Sequence, residues 1–169
     1  MDDRDMAFKF EKLEVWQKAM EYTDLVYELS ALFPREEEFN LKSQMRRAAT
    51  SIQLNIAEGS TGQTDDEQAR FLGLAVRSLY ETVACLHQAI RRKFLVDTSL
   101  AQARVLYQQA ETLAKMIQAM RGAIAPDKKW IRETQAEYIV EVREELNDAE
   151  WASSIVRRPS SNQGDQNAN

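Results

Sequence analysis

His87 and Cys85 are the side chains best suited to bind a metal or act as a nucleophile, and each type occurs once in the chain. Two positions apart on a helix they point to different faces, so they form no local metal pair. Di-metal sites in helical bundles use inward glutamates and Glu-x-x-His pairs, but three residues before His87 stands Ala84. His87 therefore reads as a partly exposed surface histidine. Cys85, inside an apolar helical pattern, reads as a buried inert thiol. No phosphate-binding P-loop, Gly-rich dinucleotide turn or nucleophile elbow occurs. In the HEPN-type ribonucleases an arginine and a histidine stand closer together than Arg77 and His87, which nine residues separate. The expectation is a protein with no metal site, no cofactor and no catalysis of its own.

What remains is charge and a few polar residues among apolar ones. Arg70, Arg77 and Arg91 stand at multiples of seven residues, with Arg92 and Lys93 beside the last. Such a line can neutralise phosphates. Arg91, Arg92 and Lys93 equally suit the negative end of a helix dipole, and Arg70 can pair with Asp66 one turn earlier. Asn55 falls on the edge of an apolar stripe, where it would bond backbone groups near the helix end and fix register. Glu58 is placed to pair with an arginine of a neighbouring helix. Glu133, Glu137, Glu141 and Glu145 recur every four residues, a spacing at which like charges repel. That acidic face is expected to dock on positive charge, either the chain's own arginines or a basic partner.

The elements that carry these residues are helices. Leu41, Met45, Ala48, Ile52 and Ile56 lie on one helical face of the stretch from Leu41 to Gly59, where Gly59 offers the positive φ that often ends a helix. A helix before it, from about Glu11 to Leu32, carries Val15, Ala19, Tyr22, Val26, Leu29 and Phe33 and is stopped by Pro34. Phe8 and Phe10 precede it and are placed to pack back on the bundle. Glu36, Glu37 and Glu38 place negative charge at the start of the second helix. Thr64 with Glu67 forms a capping box for a third helix reaching about Lys93, with Leu72, Val76, Leu79, Val83, Leu86 and Ile90 inward. Asp97 or Ser99 caps a fourth, striped by Ala103, Leu106, Ala110, Leu113, Ile117, Met120 and Ile124. Amphipathic helices of similar length joined by short loops predict an all-α, up-down-up-down four-helix bundle over residues 1–126. An acidic amphipathic helix over 127–152 and a disordered tail over 153–169 are expected to follow, and a chain ending at Pro126 should still fold.

The composition agrees. Five glycines and three prolines in 169 residues favour helix, and 22 basic against 27 acidic residues give a net charge of −5. A nucleic-acid binder of that charge must segregate its basic residues onto one face. One cysteine allows no disulfide within the chain and fits a cytoplasmic address. The opening MDDRDMAF lacks the charged-then-apolar form of a signal peptide, and no apolar run approaches the roughly 20 residues that span a membrane, so neither a leader nor a membrane span is expected. The first helix offers more apolar surface than one core needs, including Trp16, Tyr27 and Leu32, which predicts an oligomer.

The runs FEKLEVWQKA, QMRRAATSIQLNIAEG and FLGLAVRSLYET, with Phe33-Pro34 and Phe39, make residues 8–124 resemble a known family. It comprises the four-helix-bundle proteins encoded in intervening sequences of large-subunit ribosomal RNA genes, and includes the accessory variability determinant of diversity-generating retroelements. The resemblance implies a homopentameric barrel without catalytic activity. For the retroelement members it also implies association with a reverse transcriptase and with RNA or DNA. Carried onto this sequence, the nucleic-acid contacts are Arg46, Arg47, Arg70 and Arg77. The chain departs from the retroelement members in its acidic balance and in the extension after Pro126. The alternative is accordingly a protein–protein assembly scaffold of the same fold that binds no nucleic acid.

Overall fold

A computed structural model of the chain describes residues 8–62, 64–126 and 147–156. The described residues form helices α1 (Glu14–Ala31), α2 (Leu41–Ser60), α3 (Asp65–Arg91), α4 (Asp97–Ile124) and α5 (Asp148–Val156). Two short 3-10 turns, Lys9–Lys12 and Arg35–Glu37, precede α1 and α2. Consecutive helices pack on one another and α4 closes back on α1, giving the expected four-helix bundle; α5 lies across α3 and α4.

The periodic stripes form the core. Val15, Ala19, Tyr22, Val26 and Leu29 of α1 are buried against Met45, Ile52 and Ile56 of α2 and against Leu72, Leu79, Leu106, Leu113 and Ile117 of the second pair. Complete burial of each large side chain stabilises the fold by roughly 1.5–3 kcal/mol. Two polar residues join this core as a satisfied pair. The Tyr22 hydroxyl lies 2.6 Å from Thr82 Oγ1, and Thr82 donates in turn to the Leu79 carbonyl, also at 2.6 Å. Burial holds the Tyr22 phenol protonated, its pKa raised well above the ordinary range.

The helix ends show where local sequence signals hold and where they give way. α1 begins at Glu14 rather than near Glu11, because residues 9–12 take the tighter 3-10 turn. Phe10 does pack back, edge-on to Trp16 at 4.9 Å, with Phe8 stacked outside it at 5.8 Å. Ahead of α2, Glu37 Oε2 accepts the Leu41 N–H at 3.2 Å, while Glu38 pairs with Lys42. Thr64 caps α3 by accepting the Glu67 N–H at 3.2 Å. For α4 the cap position falls on Val96, not on Asp97 or Ser99. Ser99 sits inside the first turn, and its hydroxyl donates back to the Val96 carbonyl at 2.7 Å.

Gly59 does not end α2 with a positive φ; the helix continues to Ser60. Its role is close packing: a Cβ there would lie 3.0 Å from Phe71 Cβ and 3.4 Å from the Gln68 carbonyl oxygen on α3. The positive φ belongs instead to Lys93, at 60°. Phe94 N–H bonds the Ala89 carbonyl and Lys93 N–H that of Ile90, the paired bonds of a Schellman ending. A side chain in this left-handed conformation is strained relative to glycine. Lys93→Gly should therefore raise the unfolding free energy by about 0.5–1 kcal/mol, after allowing for the lost charge at the helix end. Urea denaturation reads it as a higher midpoint with an unchanged slope.

α5 extends beyond the expected limit at residue 152, and Asn147 caps its start. The Asn147 side chain accepts the Glu150 N–H at 3.0 Å and the Glu150 carboxylate accepts the Asn147 N–H at 3.1 Å, a reciprocal capping box. Trp151, Ala152 and Ile155 join the bundle's own core cluster. The hydrophobic core thus does not stop at residue 126.

Candidate nucleic-acid interface

The basic residues singled out in the sequence separate into three places. Arg46 lies at the α1–α2 seam and is bound to the chain itself. Its Nε donates to Ser30 Oγ at 2.8 Å, a terminal nitrogen donates to the Tyr27 carbonyl at 3.3 Å, and the guanidinium sits 4.7 Å from the centre of the Tyr27 ring. It thereby satisfies carbonyl and hydroxyl groups in the last turn of α1. Arg47, next along α2, is exposed and donates to Gln44 Oε1 at 2.7 Å.

Arg70 and Arg77 are exposed on α3. Beside them comes a residue that sequence reasoning missed, Arg121 of α4. Its Nε donates to the Ala69 carbonyl at 3.0 Å, and its guanidinium lies where a Cβ on Gly73 would fall, at 2.9 Å. Burial first, and then the positive charge of Arg77, push its pKa down from the ordinary guanidinium value. The one signal in the sequence was Gly73, a glycine inside a helical pattern, which marks a close approach.

Arg91, Arg92 and Lys93 are exposed at the end of α3. Arg92 and Lys93 form the Schellman ending there. The same end of the bundle carries the α1–α2 connection, since Phe33 and Phe94 meet at 6.2 Å.

The structure adds aromatic and apolar surface to one of these places. Tyr27, Phe39, Lys42, Arg46, Arg47 and Leu54 line an open groove of about 480 Å³ along α1 and α2. Phe39 is 92 % exposed, Leu54 54 % and Tyr27 44 %. Phe39 stands in a connection of charged residues with no periodic apolar partner, which is the sequence signal that it does not serve the core. Leu32 is exposed as well, whereas Trp16 is partly covered by Phe10.

Asn55 is half-buried and donates to the Ser51 carbonyl at 2.7 Å and to Ser51 Oγ at 3.0 Å. Ser78 of α3 donates to the same oxygen at 2.9 Å, so Asn55 belongs to a polar link between α2 and α3. Glu58 is exposed and makes no ion pair with an arginine among the described residues. With Glu67 and Phe71 it lines a second groove, at the other end of α2. α2 therefore runs from a basic groove to an acidic one. Glu133, Glu137, Glu141 and Glu145 lie outside the described residues.

Cys85 is buried, and burial together with nearby Glu81 pushes its thiol up to about 11. His87 stands 6.1 Å from Tyr107, whose ring meets Trp151 edge-on at 5.6 Å. Among the described residues no group of three or more histidine, cysteine, aspartate or glutamate side chains converges to hold a metal ion. Among them, too, no helix is long and apolar enough to cross a membrane.

The family model described as 23S rRNA-intervening sequence protein matches residues 11–119. A crystal structure from Bacteroides thetaiotaomicron, of a protein with unknown function from the S23 ribosomal protein family, has a TM-score of 0.57 to this chain at 22 % sequence identity. The alignment covers 63 % of this chain and 97 % of that one, and the likeness is one of fold. No curated protein matches the chain.

Proposed function

The chain belongs to the 23S rRNA-intervening sequence protein family, and from that premise we propose that it is a non-catalytic, cytoplasmic accessory protein that associates with nucleic acid through its basic surface. The observation that carries this reading is the α1–α2 groove, where Lys42, Arg46 and Arg47 stand beside exposed Tyr27 and Phe39. The net charge of −5 does not oppose it, because these cations are gathered in one place rather than diluted over the surface. Arg70 and Arg77 supply a second exposed basic site on α3. The reading extends to a homo-oligomer, a pentamer by the resemblance noted in the sequence, whose symmetry repeats the groove, and to a reverse transcriptase as the enzyme it accompanies. A second reading, a protein–protein scaffold, rests on the exposed Tyr27, Leu32 and Leu54 side chains.

The test is binding of a short labelled RNA across a salt series. Arg46 is left intact because it holds α1 to α2. The triple variant Arg47→Gln, Arg70→Gln, Arg77→Gln should keep its helical circular dichroism and bind more weakly. The slope of log affinity against log salt should fall in magnitude by about 2, since each single-strand phosphate contact releases about 0.7 counterion. Binding that is absent, insensitive to salt, or unchanged in the triple variant overturns the nucleic-acid reading and leaves the scaffold.

A further inference from the structure

We propose that the α1–α2 groove takes unpaired nucleotides, single-stranded RNA or DNA rather than duplex, with a base stacked on the Phe39 ring. The proposal rests on the nucleic-acid reading above and specifies its substrate class. The starting point is the ring itself. A phenyl group exposed at 92 % contributes almost nothing to the fold, yet it stands at the rim of a groove lined by Lys42, Arg46 and Arg47.

The second observation is the Tyr27–Arg46 stack. The guanidinium is held 4.7 Å from the ring centre by its bonds to Ser30 Oγ and the Tyr27 carbonyl. Its orientation is therefore set before any ligand arrives, which lowers the ordering cost of binding. Arg47 and Lys42 flank this stack on α2, each resting on a neighbour in the same stretch of chain, Gln44 and Glu38. Against these three cations, Glu38 is the one carboxylate in the lining.

The partner must therefore present negative charge and flat apolar faces at spacings of a few ångströms. Single-stranded nucleic acid does so, because every base has an aromatic face and every nucleotide a phosphate. A duplex does not, since its base faces are stacked away and a protruding phenyl ring would meet only sugar and phosphate. An acidic protein segment would satisfy the cations but leave the ring without a stacking surface. Leu54, 54 % exposed on the groove floor, adds an apolar contact for the sugar or base edge.

The experiment uses the full chain and two variants, Phe39→Ala and Phe39→Trp. The probes are a labelled single strand and the duplex of the same sequence, compared at one salt concentration. The wild-type chain should bind the single strand more tightly than the duplex. Phe39→Ala should weaken single-strand binding about tenfold or more, because one stacked base is worth that much, and should leave the weaker duplex binding unchanged. Phe39→Trp should restore affinity, with its fluorescence quenched on binding the single strand. Equal affinity for both probes together with an inert Phe39→Ala overturns this proposal and leaves the general nucleic-acid reading standing. No binding of either probe overturns both. If Phe39→Ala instead lowers the oligomeric mass in sedimentation, the groove belongs to self-association and the proposal fails.

Discussion

Trp151→Ala should lower the unfolding free energy by about 3–5 kcal/mol, the range for removing a fully buried large aromatic side chain. Trp151 is 1 % exposed and packs edge-on against Tyr107 of α4 at 5.6 Å. Ala152 and Ile155, one and four residues on, are buried beside it. Truncation to alanine leaves a cavity between α5 and the α3–α4 pair, and a short helix of nine residues cannot collapse to fill it. At the start of α5, Arg104 and Asp148 meet at 3.5 Å, a partly exposed pair worth about 1 kcal/mol or less. It is too weak to hold the helix by itself. A chain ending at Pro126, expected from the helical pattern still to fold, should do so with less stability than the whole. That chain lacks Trp151, Ala152 and Ile155, so its thermal midpoint should fall, and its hydrogen exchange should rise first in α4 around Tyr107. A Trp151→Ala protein with wild-type stability would show that α5 does not hold to the bundle in solution.

Gly59→Val should cost about 3 kcal/mol, the upper part of the usual range for overpacking a core. A Cβ at Gly59 already stands 3.0 Å from Phe71 Cβ and 3.4 Å from a backbone oxygen of Gln68. Two further methyl carbons have nowhere to go, because part of what they meet is backbone and does not rotate away. The strain spreads into the α2–α3 seam, where Asn55, Ser51 and Ser78 are linked at 2.7–3.0 Å. Gly59→Ala serves as the milder comparison, since its better helix propensity of about 1 kcal/mol offsets part of the contact. Urea denaturation should rank the wild-type chain and Gly59→Ala above Gly59→Val. Equal stability for all three would mean that α2 and α3 separate at no cost.

The sequence by itself determined the parts of this protein that local periodicity can encode. A seven-residue alternation of apolar positions sets which face of each helix turns inward, whatever the neighbour is, so Val15 through Leu29 and Ala103 through Ile117 were legible in advance. Thr64, too, was legible, because a cap bonds to a backbone group three residues away. Surface charge could be counted but not assembled. Arg46, Arg47, Arg70 and Arg77 look alike in a sequence; in the fold Arg46 secures α1, while the others face solvent. Which residue meets which across a seam depends on helix crossing and register, and those arise from the packing of whole faces. Tertiary structure alone therefore decided that Gly59 admits Phe71 instead of ending a helix, and that Arg121 lies over Gly73. It likewise decided that Trp151 completes the core, and that Phe39 and Tyr27, separated by the end of α1 and a turn, share one groove with Arg46. Each of these contacts joins residues on different elements, and no spacing along the chain specifies the distance between them.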